Sequence, residues 1–192
     1  MKKKISDYEV IRQYLKGDEK AFEVLVARYM DPMYRFVFTY VKNSPAAQDI
    51  TQEVFLKVWR NIQKVEKNKS FKSWIYTIAK NTALDYLKKK KAIPFSQFEN
   101  EQGNNVLTDT LRDGAHLPDV MAELAENKGA FLNAIDGLSE KYRQILSMYY
   151  YQYFNFREIA QILQEPINTI KSRHRRGLIL LKEQISQTGN QQ

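Results

Sequence analysis

The stretch Asn155-Phe156-Arg157-Glu158-Ile159-Ala160-Gln161-Ile162-Leu163-Gln164-Glu165-Pro166-Ile167-Asn168-Thr169-Ile170-Lys171-Ser172-Arg173-His174-Arg175-Arg176 decides how the rest of the chain is read. Asn155 with Glu158 three residues on is a capping-box pattern that opens a helix. Glu165-Pro166 breaks it, and a second helix opens at about Asn168, whose side chain can serve as its cap. Ile159, Ala160 and Leu163 would pack against Ile170, His174, Leu178 and Leu181, which share one stripe of the second helix. Thr169, Ser172, Arg173 and Arg176 then project away from that stripe. A short helix, a tight turn and a basic second helix make a helix-turn-helix. A major groove admits one helix, Arg can donate two hydrogen bonds to a guanine edge there, and Lys and Arg neutralise phosphates. A solvated basic face on an ordinary helical hairpin would read the same way, so the flanking sequence has to arbitrate.

Around this stretch, helical periodicity holds from about Val120 to Ile185, with another helix opening at Leu138-Ser139 and the last ending near Gln184. Residues 120–186 form one expected unit and the polar residues 187–192 a disordered tail. Upstream, Pro94 to Leu117 is rich in Asn, Gln, Asp and Gly with little periodicity. That is long for a loop inside a compact domain, so residues 94–119 read as an acidic, flexible linker. Charge follows the same division: residues 1–92 carry 20 Lys+Arg against 10 Asp+Glu, residues 93–119 carry 1 against 5, and residues 120–192 carry 9 against 7. Two basic ends flank an acidic middle, a balance suited to a polyanionic partner.

Residues 1–93 form the other expected unit. Gly17-Asp18 reads as a helix break followed by an N-cap, Pro32 as a stop or kink, and Met33 to Val41 as a buried helix. Ser44 reads as the cap of a third helix, with Pro45 at its first position. In that helix Ala47, Ile50, Val54, Val58 and Ile62 make a core stripe, while Asp49, Gln52, Glu53, Lys57 and Arg60 lie opposite. That polar side is either a plain solvated face or a docking surface. A fourth helix, Ser70 to about Lys90, buries Ile75, Ala79, Ala83 and Leu87. Phe71, Trp74 and Tyr76 cluster at its start beside Lys69 and Lys72, and basic residues interleaved with aromatics suit single-stranded nucleic acid. Taken singly, Trp74 reads as core. Lys88 to Lys91 can be a helix end set against its dipole or a phosphate clamp.

The expected fold class is therefore all-α, two small helical domains joined by an acidic linker. The chain has no cysteine, which rules out disulfides and thiolate metal sites. Its two histidines, His116 and His174, have no ligand spacing around them, and phosphate-loop and dinucleotide glycine patterns are missing. No catalytic residues, metal site or cofactor are expected, and an enzyme is not the reading. With no secretory signal and no long apolar run, a cytoplasmic location without membrane insertion is expected.

Four motifs in order resemble one known family: Gly17-Asp18-Glu19-Lys20-Ala21-Phe22 with Leu25 and Tyr29; Ala47-Gln48-Asp49-Ile50-Thr51-Gln52-Glu53-Val54-Phe55-Leu56-Lys57-Val58-Trp59; Phe71-Lys72-Ser73-Trp74-Ile75-Tyr76-Thr77-Ile78-Ala79-Lys80-Asn81-Thr82-Ala83-Leu84-Asp85-Tyr86-Leu87; and the helix-turn-helix. Together they resemble the extracytoplasmic-function (ECF, group IV) sigma factors of the bacterial sigma-70 family, over nearly the whole chain. The resemblance implies a sigma region 2 bundle and a sigma region 4 helix-turn-helix, which bind core RNA polymerase and direct promoter-specific initiation. It implies docking on the clamp helices of the largest subunit through Asp49, Gln52, Glu53, Lys57 and Trp59, and a contact of region 4 with the flap of the second-largest subunit. The −10 element would be read as a melted strand by Lys69, Ser70, Phe71, Tyr76, Lys80, Asn81, Asp85 and Lys88, with Lys67 to Phe71 receiving an extruded base. The −35 element would be read as duplex by Thr169, Lys171, Ser172, Arg173, Arg175 and Arg176. The linker would thread the polymerase cleft and exit channel, and an anti-sigma factor is the usual further partner.

The sequence departs from the family where His174 stands in place of an aliphatic residue, Gly177 in place of Ala, and Asn168 in place of a common Gly. A stand-alone helix-turn-helix regulator is the alternative; it shares the C-terminal half but leaves the Asp49–Trp59 and Phe71–Asp85 motifs unexplained. The free protein is expected to bind promoters weakly, because two readers on a flexible linker have no fixed separation until polymerase supplies it.

Overall fold

The structure, a computed structural model, describes residues 5–65, 70–92 and 128–189. The segment expected to be the acidic linker, together with Lys69, His116 and the end of the tail, lies outside the described residues. Among the described residues there are helices and turns and no strand.

In the first unit, α1 (Asp7–Leu15) is capped by Ser6, whose hydroxyl accepts from the Glu9 N–H at 3.2 Å. Gly17, at φ +100°, reverses the chain, and Asp18 caps α2 (Glu19–Val41) as its sequence predicts. Pro32 does not end this helix. A proline in a helix interior costs about 3 kcal/mol, but the buried row Ala21, Leu25, Tyr29, Met33, Phe36, Val37 and Tyr40 continues in register across it. Each large side chain in that row contributes about 1.5–3 kcal/mol of burial, so packing outweighs the local penalty and one helix replaces the two expected. Asn43, rather than Ser44, caps α3 (Ser44–Asn61): its Oδ1 accepts from the Ala46 N–H at 2.9 Å. A 3₁₀ turn, Ile62–Lys64, follows, and α4 spans Phe71–Ala92.

The second unit begins with α5 (Lys128–Asp136) and α6 (Glu140–Leu146), which widens into a π-helical turn, Ser147–Tyr151. The turn closes through Gln152 N–H to Ser147 C=O at 3.0 Å and Phe154 N–H to Met148 C=O at 2.9 Å. With Tyr153 at φ 56°, it swings Phe154 back toward the first unit. Then come α7 (Phe156–Leu163) and α8 (Ile167–Gly189). The capping box at Asn155 and Glu158 is present, and Gln164, left-handed at φ 57°, ends α7. Helix α8 begins before Asn168, so that residue sits inside its first turn rather than capping it, and the helix runs past Gln184 to Gly189.

The two units pack against each other. One continuous apolar core holds Val10, Leu25, Phe36, Val54, Ile75 and Tyr76 of the first unit together with Met148, Phe154, Ile159 and Ile162 of the second. A smaller cluster of Phe131, Ile135, Leu138, Leu146 and Leu181 lies behind it. The seam forms because Tyr76 and Phe154 meet edge to face, with ring centroids 4.8 Å apart. Apart, each would expose a large aromatic surface, of the order of 150–250 Å².

Candidate nucleic-acid interface and docking face

Helix α3 faces two ways. Ala47, Ile50, Val54, Val58 and Ile62 are all buried, as their spacing predicts. Asp49, Gln52, Glu53 and Arg60 are exposed. Lys57 is turned sideways: its ammonium donates to Thr82 Oγ1 at 3.0 Å and pairs with Glu53 at 2.8 Å, tying α3 to α4. The same side carries two large apolar residues, Leu56 at 52% and Trp59 at 51% exposure. Leu56 is the residue the sequence reading passed over. Its signal was available: an apolar pair three apart that falls off the core stripe.

On α4, Ile75, Ala79 and Ala83 are buried and Leu87 is half-buried. The nucleic-acid candidates divide. Ser70, Asn81, Asp85 and Lys88 are exposed, and Phe71 is buried against Tyr29 and Trp74. Tyr76, 1% exposed, and Lys80, 8% exposed, lie under the second unit. The Lys80 ammonium donates to the Leu163 carbonyl at 2.8 Å and to Gln164 Oε1 at 3.4 Å. It thereby caps the electron-rich C-terminal end of α7, a favourable place for a cation. One helical turn before Tyr76, Lys72 donates to the Gln152 carbonyl and sits 4.1 Å from the Phe154 ring centroid. Burial holds both lysines below the ordinary lysine pKa. Beside this seam a cleft opens between Asp7, Arg28, Tyr29, Pro32, Lys72 and Tyr153, its wall fixed by Asp7 accepting from Arg28 and from the Tyr29 hydroxyl.

The helix-turn-helix forms, with Ile170 in the same core as Ile159 and Leu163, whereas Leu178 and Leu181, expected against α7, pack in the smaller cluster with Phe131, Ile135 and Leu146. Ile159 and Leu163 of α7 and Ile170 and Leu181 of α8 are buried, with Ala160 and Leu178 half-buried. Lys171, Ser172, Arg175 and Arg176 are exposed along one side of α8, and Thr169 is half-buried at its start. Arg173 bonds Glu165 in the turn at 2.7 Å, so that carboxylate holds the guanidinium at the mouth of the motif. His174 faces inward, within 4.8 Å of Tyr149, 5.0 Å of Phe156 and 5.5 Å of Tyr150, centroid to centroid. Its Nε2 is buried without a hydrogen-bond partner among the described residues, and burial pushes its pKa down to about 4. A neutral imidazole thus fills the place of an aliphatic side chain. Gly177 has a packing reason: a Cβ there would lie 3.2 Å from Leu146 Cδ1 and 3.3 Å from Tyr142 Cβ, so α6 and α8 touch closely at that point.

Comparison with known proteins matches both halves. The Sigma-70 region 2 family profile matches residues 25–93, and that of Sigma-70, region 4, matches residues 134–183. The ECF RNA polymerase sigma factor SigW of Bacillus subtilis is 32% identical over 177 residues, covering 91% of this chain and 94% of its own. The ECF RNA polymerase sigma-E factor of Escherichia coli is 28% identical over 174 residues, covering 90% and 91%. Among solved structures, CnrH in complex with the cytosolic domain of CnrY superposes with a TM-score of 0.61 at 17% identity, covering 94% of this chain and 97% of that one. RpoE of Bartonella quintana, solved with the anti-sigma factor NepR, gives 0.59 at 20% identity, covering 87% and 98%. The last two bear on the fold alone. On its two motif-bearing halves and this likeness over nearly its full length, the chain belongs to the ECF RNA polymerase sigma factors of the sigma-70 family.

Proposed function

We propose that this sigma factor binds core polymerase through the exposed side of α3, on the clamp helices of the largest subunit, with region 4 meeting the flap of the second-largest. Asp49, Gln52 and Glu53 supply the polar contacts, with Leu56 and Trp59 as the apolar anchor between them. The −10 element is read as a melted strand by α4 and the loop before it, and the −35 element as duplex by α8 through Thr169, Lys171, Ser172, Arg173, Arg175 and Arg176. The work is binding and specificity: extruding a base costs roughly a few kcal/mol, and a preformed pocket offsets that cost best for the right base. The regions are assigned as residues 1–93 and 120–186, with the acidic segment between them in the polymerase cleft. No helix among the described residues is long and apolar enough to cross a membrane, and we place the protein in the cytoplasm, at the nucleoid. Family membership also suggests an anti-sigma partner.

The observation that carries this reading is α3: its core side is complete, yet its outer side keeps two half-exposed large apolar residues set among carboxylates. Run-off transcription with core polymerase from the same host tests it. Initiation at defined promoters is expected. Failure to associate with core, with promoter-specific binding by the free chain, would instead favour a stand-alone regulator.

A further inference from the structure

We infer that Glu165, in the turn of the helix-turn-helix, is a positioning residue for the −35 contact: it presets the Arg173 guanidinium for a base edge and withholds that charge from phosphates. The inference rests on the reading of α8 as the −35 reader and adds to it a residue outside that helix. Three observations converge. First, the pair is one-sided. Both carboxylate oxygens of Glu165 meet Nη1 of Arg173, Oε1 at 2.8 Å and Oε2 at 2.7 Å. A guanidinium carries its N–H donors in a fixed fork. The edge made by Nε and Nη2 is not used by this pair, and a guanine offers two acceptors, N7 and O6, to such an edge. Second, the carboxylate rides on a stiff turn. Gln164 before it is left-handed, at φ 57°, and Pro166 after it has its φ fixed by the ring. The Glu165 N–H donates to the Ala160 carbonyl at 3.1 Å, and the Ile170 N–H to the Pro166 carbonyl at 3.2 Å. The side chains of Arg173 and Glu165 are 32% and 31% exposed, so the pair is sheltered and still within reach of DNA.

Third, the charges along α8 divide into two kinds. Lys171, Arg175 and Arg176 are exposed and supply attraction to phosphates wherever the helix lands. Arg173 and Glu165 together are neutral, so this pair adds nothing to that general attraction. A carboxylate set against a phosphate is repelled, whereas a guanine edge has no net charge to repel it. A register that brings the turn onto the DNA backbone is thus penalised, and a register that brings it onto the right base is not. Giving up general affinity for a difference between sites is one way selectivity is built. Holding the guanidinium in place beforehand is another, because a long side chain that is already ordered loses less freedom on binding.

The test uses holoenzyme made with the host's core, on a promoter whose start has been mapped. The −10 element is held constant, each −35 base pair is changed in turn, and equilibrium binding is followed across a salt series. Arg173→Ala identifies the base pair that Arg173 reads, as the one where discrimination disappears. Glu165→Gln keeps the size of the side chain and removes its charge. It should lower discrimination at that base pair by about five- to tenfold, part of what a bidentate contact supplies. It should also steepen the slope of log K against log salt by about 0.9, because the released guanidinium finds a phosphate. In the Arg173→Ala background the same change should alter neither quantity. A purely structural role would lower the melting temperature and leave both where they are. The inference is overturned if Glu165→Gln keeps either the wild-type discrimination or the wild-type slope. It is equally overturned if the effect survives without Arg173, which would mean that Glu165 touches DNA itself. If wild-type holoenzyme shows no −35 preference at all, the reading of α8 fails first, a result distinct from a wild type that discriminates and a variant that does so equally.

Discussion

Helices α3 and α4 are neighbours of similar length in one bundle, yet they treat their outer sides oppositely. Helix α3 leaves Asp49, Gln52, Glu53, Leu56 and Trp59 to solvent, whereas α4 has its Lys72–Tyr76–Lys80 stripe covered by the second unit. The difference is not in amphipathic pattern, since each helix has a clear core stripe. It lies in what the second unit can offer. An α7 C-terminus and an aromatic ring complement lysines and a tyrosine; they would leave the carboxylates of α3 unpaired and desolvated, at a cost of several kcal/mol for a charge. Charge sign thus decides which face the second unit covers and which it leaves to solvent.

The largest expected effect breaks the covered side. Phe154 is fully buried between Tyr76 and Lys72, so Phe154→Ala should cost about 3–5 kcal/mol of stability, read by urea unfolding followed by far-UV circular dichroism. A loss below about 1 kcal/mol would mean that the ring is not core and the seam is loose. Next is the open side. Trp59→Ala should weaken association with core polymerase by about 2–4 kcal/mol, roughly 30- to 1000-fold. Its melting temperature should stay within about 2 °C, because a surface change with no buried partner shifts stability little. Unaltered association would remove Trp59 from the docking face; a melting temperature lowered by much more would show that it is structural.

The contrast also marks how far the sequence could be read. The core stripe of α3, the capping box at Asn155 and Glu158, the Asp18 cap and the helix-turn-helix were legible, because each is set by spacing within one element. Pro32 misled because its penalty is local while the buried row that outweighs it spans the whole of α2. Ser44 was a reasonable cap, but Asn43, one residue earlier, is the one whose oxygen reaches back to the chain. The fates of Tyr76 and Lys80 were not legible. Their partners lie about eighty positions away, and no periodicity within α4 separates a face turned to DNA from a face turned to Phe154 and Leu163. Leu87, expected in the core, sits at the edge because α4 outruns the bundle.

A third prediction tests the interior of the second unit by pH. His174 is neutral in its aromatic box, with a pKa pushed down to about 4, while the unfolded chain protonates it near the ordinary 6.5. The unfolded state therefore binds more protons between those values. The contribution of His174 is fully present above about pH 6.5 and is lost as pH falls toward 4. His174→Leu should remove that loss. At pH 4.5 the variant should exceed wild type by about 1–2 kcal/mol more than it does at pH 7.5, a figure kept below the full shift because the ring is only partly buried. Parallel pH profiles for the two chains would show the imidazole to be solvated rather than boxed.

The smallest expected effect concerns Gly177, and its sign is the informative part. By helix propensity alone, Gly177→Ala should stabilise α8 by about 1 kcal/mol. The added Cβ, however, would meet Leu146 Cδ1 at 3.2 Å and Tyr142 Cβ at 3.3 Å. Leu146 is fully buried and belongs to the second unit's own cluster, so it cannot simply rotate into solvent, and a Cβ atom moves only with its backbone. Overpacking of this kind costs about 1–3 kcal/mol, which cancels the propensity gain and leaves Gly177→Ala less stable by about 0.5–1 kcal/mol. Coupling it with Leu146→Val, which retracts the obstructing methyl, should recover more than the two separate changes add up to, because the residues are in contact. A stabilisation of about 1 kcal/mol by the single change would mean that α6 and α8 stand further apart than this packing requires, and that the glycine serves neither helix.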